Sequence, residues 1–372
     1  MAVFGIIMVV LAALIGFYAY WLIRRIFVFY RLKPSKWPVK IVNILLAMLV
    51  AAACVNMWSV TAVIVLHVLA ISLVLDVVAF VVRRIVRKRT PGRAYGVIRK
   101  IYRCGIVQVF ILAFVLIYGF MNMGHVVRTE YTVETDKDVQ PYKVALITDV
   151  HYDTIQDTDI LKDKIQEING QNPDVVILGG DIVEEKTSKE KMQELFGLFG
   201  QLEATYGIYY VYGNHDRQPY TSNPTFTDEE LDTAITENGI TILQDSYVEI
   251  GDDLVLAGRD DAAWGNVSDR ASTEEILQGV DQEKYIIVAD HQPIGAEENS
   301  DQGVDLEVSG HTHAGQIWPV GILSELTGVL NYGEYQRGDC TVIVSSGFAG
   351  WGYSIRTEGN CEYVIINIEG TL

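Results

Sequence analysis

Acidic residues are almost missing from the first third of this 372-residue chain. Residues 1–124 hold 15 Lys/Arg against a single acid, Asp76, a net charge of +14, whereas residues 125–372 hold 14 Lys/Arg against 46 acids, a net of −32. A split of that size excludes one soluble domain. Cysteine is scarce, with four in all, and this excludes a small disulfide scaffold. Internal repeats and low-complexity tracts are missing, and 49% of the residues are hydrophobic, which excludes a disordered chain. The C-terminal part lacks the basic surface that a nucleic acid needs; its excess of acid would repel a polyanion, so no nucleic-acid partner is expected. That part is long enough for one buried core, since single domains run to about 100–250 residues.

What the first third does have is long charge-free runs. Residues 2–23 carry no charge, and about 20 apolar residues of helix cross a bilayer core, where lipid offers the backbone no hydrogen-bond partner. Further apolar runs at 41–57, 60–82 and 104–124 predict four spans, the second and third forming a tight hairpin with Trp58 and Ser59 near its turn. No basic segment precedes the first run, so a cleaved signal peptide fits poorly. The expected organisation is a transmembrane domain at 1–124, a polar connector at 125–141 with EYTVE extended, and an α/β domain at 142–372.

Basic residues set the orientation. Segment 24–40 carries Arg24, Arg25, Arg31, Lys33, Lys36 and Lys40; segment 83–103 carries Arg83, Arg84, Arg87, Lys88, Arg89, Arg93, Arg99, Lys100 and Arg103. Both are expected in the cytoplasm, in reach of anionic lipid headgroups, with the C-terminal domain outside it. Asp76 falls within the third span, less than two turns from Arg83, and is expected to reach the basic interface rather than to serve transport. Cys54 and Cys104 are expected to be packing residues; Cys340 and Cys361, near predicted strands, are able to pair only in an oxidising compartment.

From residue 142 onward the pattern is β-α-β-α-β-α and then mostly β. Strands are predicted at 142–149, 174–181, 207–216, 240–243, 247–250, 254–258, 285–290, 306–310, 341–346 and 362–368, with helices at 158–169, 188–201 and 227–238. This predicts a layered α/β domain of one or two mixed sheets with helices outside.

The chemistry lies where strands end. Five apolar runs each lead into a short loop that opens on residues of metal-ligand type: Asp149-Val150-His151, Gly180-Asp181, Gly213-Asn214-His215-Asp216, Asp290-His291 and Gly310-His311-Thr312-His313. Of seven histidines, His67 lies in a span, His125 lies at a membrane exit, and the other five all lie in these loops. Any one of them alone is more often an ordinary polar or core residue; all five at strand ends, each beside Asp, Asn or Gly, concentrate ligands as metal sites do. Ligands after parallel strands converge at one sheet edge. A mixed set of imidazole, carboxylate and amide suits two first-row divalent cations such as Mn, Fe or Zn. Two cations about 3.5–4 Å apart would acidify a bridging water and clamp the oxygens of an in-line displacement at phosphorus. Gly180, Gly213 and Gly310 permit sharp turns and close approach.

In their order, DVH, GD, GNHD, a lone His and GHTH resemble the calcineurin-like metallophosphoesterase superfamily over about residues 142–369. GHTHAGQIWP and DHQP look most like its membrane-associated bacterial branch, which includes enzymes similar to UDP-2,3-diacylglucosamine pyrophosphatase. The resemblance implies one metal on Asp149, His151, Asp181 and His313, and a second on Asp181, Asn214, His291 and His311, with Asp181 bridging. It further implies His215 as the group that protonates the leaving oxygen or stabilises charge on phosphorus, with Asp216 orienting its imidazole. The first motif departs slightly, since a DLH-type sequence is more usual, but the ligand positions are intact.

The expected function is a membrane-anchored dinuclear phosphoesterase acting on a phosphomonoester, diester or pyrophosphate. Held near a bilayer, it favours a lipid-linked or envelope substrate over a diffusing metabolite, and a site outside the cytoplasm disfavours a UDP-linked one. Tyr152, Arg217, Tyr220, Trp264, Trp318, Phe348 and Trp351 lie in or near predicted loops as pocket candidates. The competing readings are a metal-binding envelope sensor without catalysis and a transporter with an accessory domain.

Overall fold

The computed structural model describes residues 2–56, 59–86, 100–152, 158–262 and 270–370. The chain forms two compact units, Met1–Tyr118 and Gly119–Leu372.

Helices α1 (Ala2–Phe29), α2 (Trp37–Ala53) and α3 (Val60–Val86) belong to the first unit, and α4 (Ile106–Met123) runs from the first into the second. Val9–Phe29, Val60–Val82 and Ile106–Met123 are long and apolar enough to cross a membrane. The second expected span is shorter: α2 has 17 residues, about 26 Å of helix at ~1.5 Å per residue against a hydrocarbon core of about 30 Å. Asp76 has the structural role expected of it, with its basic partner on another helix. Its carboxylate accepts from Arg25 at 2.5 Å and from Tyr18 at 2.9 Å, both on α1. The acid is therefore neutralised by another helix, which gives it a structural use. Trp58, Arg87, Lys88, Arg89, Arg93 and Arg99 lie outside the described residues.

The second unit is built on two six-stranded sheets. The first orders β1 (Val126–Thr135), β12 (Cys361–Gly370), β2 (Tyr142–Ile147), β3 (Val175–Leu178), β4 (Ile208–Tyr210) and β5 (Ile240–Ile242). The second orders β10 (Gly333–Arg337), β11 (Cys340–Val344), β9 (Leu306–Ser309), β8 (Tyr285–Ala289), β7 (Leu254–Gly258) and β6 (Ser246–Ile250). Strands β2, β3, β4 and β5 are parallel, as are β7, β8, β9 and β11.

Alternation along the strands decides the layering. Val144, Leu146 and Ile177 of the first sheet share a core with Leu254, Leu256, Ile287 and Val308 of the second, so the sheets pack face to face. Ala145, Ile147, Val176 and Leu178 point the other way, onto α5 (Thr158–Asn169) and α6 (Lys189–Phe199) through Leu161, Ile165, Phe196 and Phe199. α7 (Asp228–Glu237) joins this layer through Leu231 and Ile235. On the far side Val255, Ala257, Ile286 and Val288 pack beneath the short helices α8 (Thr273–Ile276) and α9 (Ala296–Asp301). The central strands are buried on both faces, which is why they read as unbroken apolar runs such as VVIL and YIIVA.

One expectation changes. The stretch 125–141 is no connector over its first half: it is the ten-residue strand β1, paired in parallel with β12. Its alternate exposure suits an edge strand, and the EYTVE expected to be extended lies within it. Cys340 and Cys361 are free and buried, on β11 and β12 of different sheets.

Candidate metal centre

The expected convergence at one sheet edge becomes a convergence of two. Loops after β2, β3 and β4 of the first sheet meet loops after β8 and β9 of the second, because the sheets stack with these ends together. Within each of two groups, Asp149–His151–His313 and Asp181–His291–His311, one ligand atom per residue lies within 4.8 Å of the others. Asp181 stands between the groups. Its Oδ2 is 3.1 Å from His291 Nε2 and 3.7 Å from His151 Nε2, so one carboxylate faces both sets. Asp149 Oδ1 lies 3.5 Å from His313 Nε2.

The backbone is bent to bring these groups in. Asp149, His151, Asp181, His311 and His313 all have positive φ, between 39° and 71°. Such conformations cost L-residues on the order of 1–3 kcal/mol each and cluster where function over-determines them. Close approach also needs missing side chains: a Cβ on Gly213 would collide with the Asp181 carboxylate, and one on Gly310 with that of Asp149. The loops are cross-tied, with Asp149 N bonded to Gly180 O at 2.9 Å and His151 N to Asp181 O at 3.0 Å. His311 N donates to Asp149 at 3.0 Å. The His291 Nδ1–H donates to Gly179 O at 2.9 Å, which fixes the ring with Nε2 facing Asp181.

These side chains fit a cation. Burial first, with neighbouring imidazoles, pushes His151 down to about 3 and His311 to about 4, leaving the neutral rings that metals bind. Burial alone would lower His291 too, yet the Asp181 charge raises it well above its usual value, and a metal cation would meet the same attractive field. Asn214 Oδ1 is buried without a hydrogen-bond partner, and such an oxygen costs stability unless a donor or cation reaches it.

His215 stands beside these groups, its ring centroid 5.4 Å from that of His151. The expectation that Asp216 orients it is not met. Asp216 is buried, and its carboxylate accepts from the backbone N–H groups of Gly213, Asp181, Ile182 and Val183 at 2.6–3.1 Å. It braces the two loops and has no oxygen left for the imidazole. Glu185 takes that place, accepting from His215 Nδ1 at 2.8 Å. Burial lowers the His215 pKa, but the Glu185 hydrogen bond and the charges of Asp181 and Glu185 outweigh it, and the net shift is upward. Glu185 is not among the residues the sequence singles out, although the acid pair three and four residues after Asp181, ahead of the Ser188 cap of α6, is a usable signal. Nor is Arg356, which is fully buried and donates to the carbonyls of His313, Ser346, Ala349 and Asn360 at 2.8–3.0 Å.

The aromatic candidates divide. Tyr220 and Trp351 flank His215, with centroids at 5.0 and 5.4 Å. Tyr152 and Phe348 are core residues. Arg217 stacks on Tyr212 at 3.9 Å and pairs with Asp260; Trp318 is half-buried, and Trp264 lies outside the described residues. Asp290 points away from the ligand groups to Arg270, at 2.9 Å.

Residues 142–315 match the model of a family described as calcineurin-like phosphoesterase. The chain is 31% identical over 241 residues to an uncharacterized metallophosphoesterase of Helicobacter pylori, a match that takes in 64% of this chain and 63% of the relative. It is 27% identical over 272 residues to an uncharacterized metallophosphoesterase of Bacillus subtilis, with 68% and 90% covered. It is 28% identical over 277 residues to a transmembrane protein with metallophosphoesterase domain of Danio rerio, with 70% and 62% covered. The chain thus spans just under two thirds of the Helicobacter and Danio relatives.

Proposed function

We propose that this chain is a membrane-anchored, metal-dependent phosphoesterase, a reading supported by the match of residues 142–315 to the calcineurin-like phosphoesterase model. The substrate is a lipid-linked or cell-envelope phosphomonoester, diester or pyrophosphate. The observation that carries this is the pair of ligand groups with Asp181 facing both. Two divalent cations held by Asp149, His151, Asp181 and His313, and by Asp181, Asn214, His291 and His311, would polarise phosphoryl oxygens and acidify the attacking water. His215 holds the proton that the leaving oxygen needs, and Glu185 fixes its ring so that Nε2 carries it. Tyr220 and Trp351 both stand against that ring. Asp216 braces the backbone of both loops.

A metal analysis of the purified full chain, with hydrolysis assayed on a panel of mono- and diesters, tests the reaction. Two equivalents of a transition metal per chain and chelator-sensitive turnover are expected. A metal-free chain whose turnover survives chelation overturns the proposal, and full metal with no turnover on any ester favours the sensor.

Placement outside the cytoplasm rests on the basic segments 24–40 and 83–103. It supports a lipid carrier over a nucleotide-sugar substrate, so the likeness to the UDP-2,3-diacylglucosamine pyrophosphatase-like branch bears here on the lipid portion alone. A phosphatase reporter that is active only outside the cytoplasm, fused at residue 130, should be active; activity only from a cytoplasmic reporter at that point reverses the orientation.

A further inference from the structure

After residue 123, the exposed large aliphatic side chains among the described residues are concentrated in one place. Apart from Ile294, all lie within ten residues: Val320, Ile322, Leu323, Leu326 and Val329, with Leu326 79% exposed. They belong to helix α10 (Val320–Leu326) and the turn after it. Glu325 is the one charged residue between Gln316 and Gly333. A soluble domain seldom leaves so dense an apolar patch in water.

The polar side of α10 explains why the patch faces outward. Gly321 N and Ile322 N donate to the Glu358 carboxylate at 2.8 and 3.3 Å, and Trp318 N donates to Thr357 Oγ1 at 3.0 Å. The Gln316 carboxamide bonds the carbonyls of Trp351, Tyr353 and Ile355. With its backbone fixed on segment 355–358, the helix turns its large side chains away from the domain.

The same segment receives the end of α4. Asn122 Nδ2 donates to Arg356 O at 3.3 Å and to Gly359 O at 2.8 Å, and Arg356 N donates to Gly119 O at 2.9 Å. Helix α4 is long and apolar enough to cross a membrane. Segment 355–359 therefore touches, on one side, the turn in which that helix ends and, on the other, the apolar helix α10. We infer that α10 is an interfacial membrane element: its apolar face lies in the headgroup and upper acyl region of the bilayer that α4 leaves, and it sets the metal centre beside lipid-borne phosphoesters. A helix with one apolar face lies in the plane of the interface with that face at the headgroup–acyl boundary, and Trp318 at its start is of the kind that favours the interface. The link to the site is direct, since Arg356 of the shared segment donates to the carbonyl of His313. The lipid substrate rests on the proposed phosphoesterase activity; the membrane contact does not.

The full chain is reconstituted in phosphatidylethanolamine/phosphatidylglycerol vesicles after Leu326→Cys in a Cys104→Ser background, and the new thiol is labelled with an NBD fluorophore. Blue-shifted emission, quenched by lipids spin-labelled high on the acyl chain, is expected; the same label at exposed Thr236 on α7 should emit as in water. Water-like, unquenched emission at position 326 overturns the membrane contact, and so does a blue-shifted label that the spin-labelled lipids fail to quench. Separately, the Ile322→Asn/Leu326→Asn chain is assayed on a diacylglycerol p-nitrophenyl phosphodiester in vesicles and on dissolved bis(p-nitrophenyl) phosphate. A tenfold or greater loss on the lipid ester alone is expected. An unchanged ratio overturns the substrate-presenting role. If the unsubstituted chain cleaves neither ester, the phosphoesterase proposal fails while the quenching result stands.

Discussion

Asp181→Asn should cut phosphodiester turnover by about 10³-fold or more and release metal from both ligand groups. Asparagine has nearly the shape of aspartate and keeps the Oδ1 that accepts from His215 N at 2.8 Å, so the loop retains its hydrogen bond. What it loses is charge and the second ligand oxygen. Asp181 Oδ2 faces His291 and His151 at 3.1 and 3.7 Å, and an amide nitrogen there repels a cation. His313→Ala is the contrast, because His313 belongs to one group only. Its metal content should fall by one equivalent, and that of Asp181→Asn by more. Elemental analysis beside circular dichroism separates the two cases: a folded Asp181→Asn chain with full metal and normal turnover would remove Asp181 from the bridging position.

His215→Ala should behave in the opposite way, keeping its metal and losing rate. A positioned general acid contributes about 10²–10⁴-fold, and its contribution grows with the basicity of the leaving oxygen. An alkyl phosphodiester should therefore lose far more than a p-nitrophenyl one, whose leaving group departs without a proton. Glu185→Gln should show the same leaving-group bias at smaller size, since Glu185 touches the ring at Nδ1 and acts only through it. Equal losses on both substrates in His215→Ala would mean that the imidazole stabilises charge on phosphorus and donates no proton. Kinetics on a series of leaving groups, with metal content checked in each variant, decides between these roles.

The groups that meet at the centre were legible in the sequence because each follows an apolar strand and each is of ligand type. Asp149, His151, Asp181, His291, His311 and His313 need no partner to be recognised, only a place at a strand end. The positions of most central strands were legible for a related reason, as doubly buried strands give unbroken apolar runs. Relations between distant side chains were not. That Glu185 holds His215, 30 residues away, while its neighbour Asp216 turns to four backbone amides, depends on where loop 181–187 folds back. The pairing of Asp76 with Arg25 spans 51 positions and requires two helices to be placed side by side. Strand β10 stayed hidden because GEYQR has no buried face, and α10 because an apolar stretch after a motif resembles loop packing until its exposure is known. The left-handed backbone at five ligand positions has no sequence signature at all, since none of those residues is glycine.

Strand order in the first sheet also governs when the domain is able to fold. β12, the latest strand in the chain, lies between β1 and β2, so the two earliest strands have no mutual ladder to form while synthesis continues. The nascent domain must wait with β1 unpaired until residues 361–370 arrive and fill the gap. Contacts of such long sequence separation form slowly and leave intermediates exposed. Until that last ribbon is laid down, the facing edges of β1 and β2 stay open.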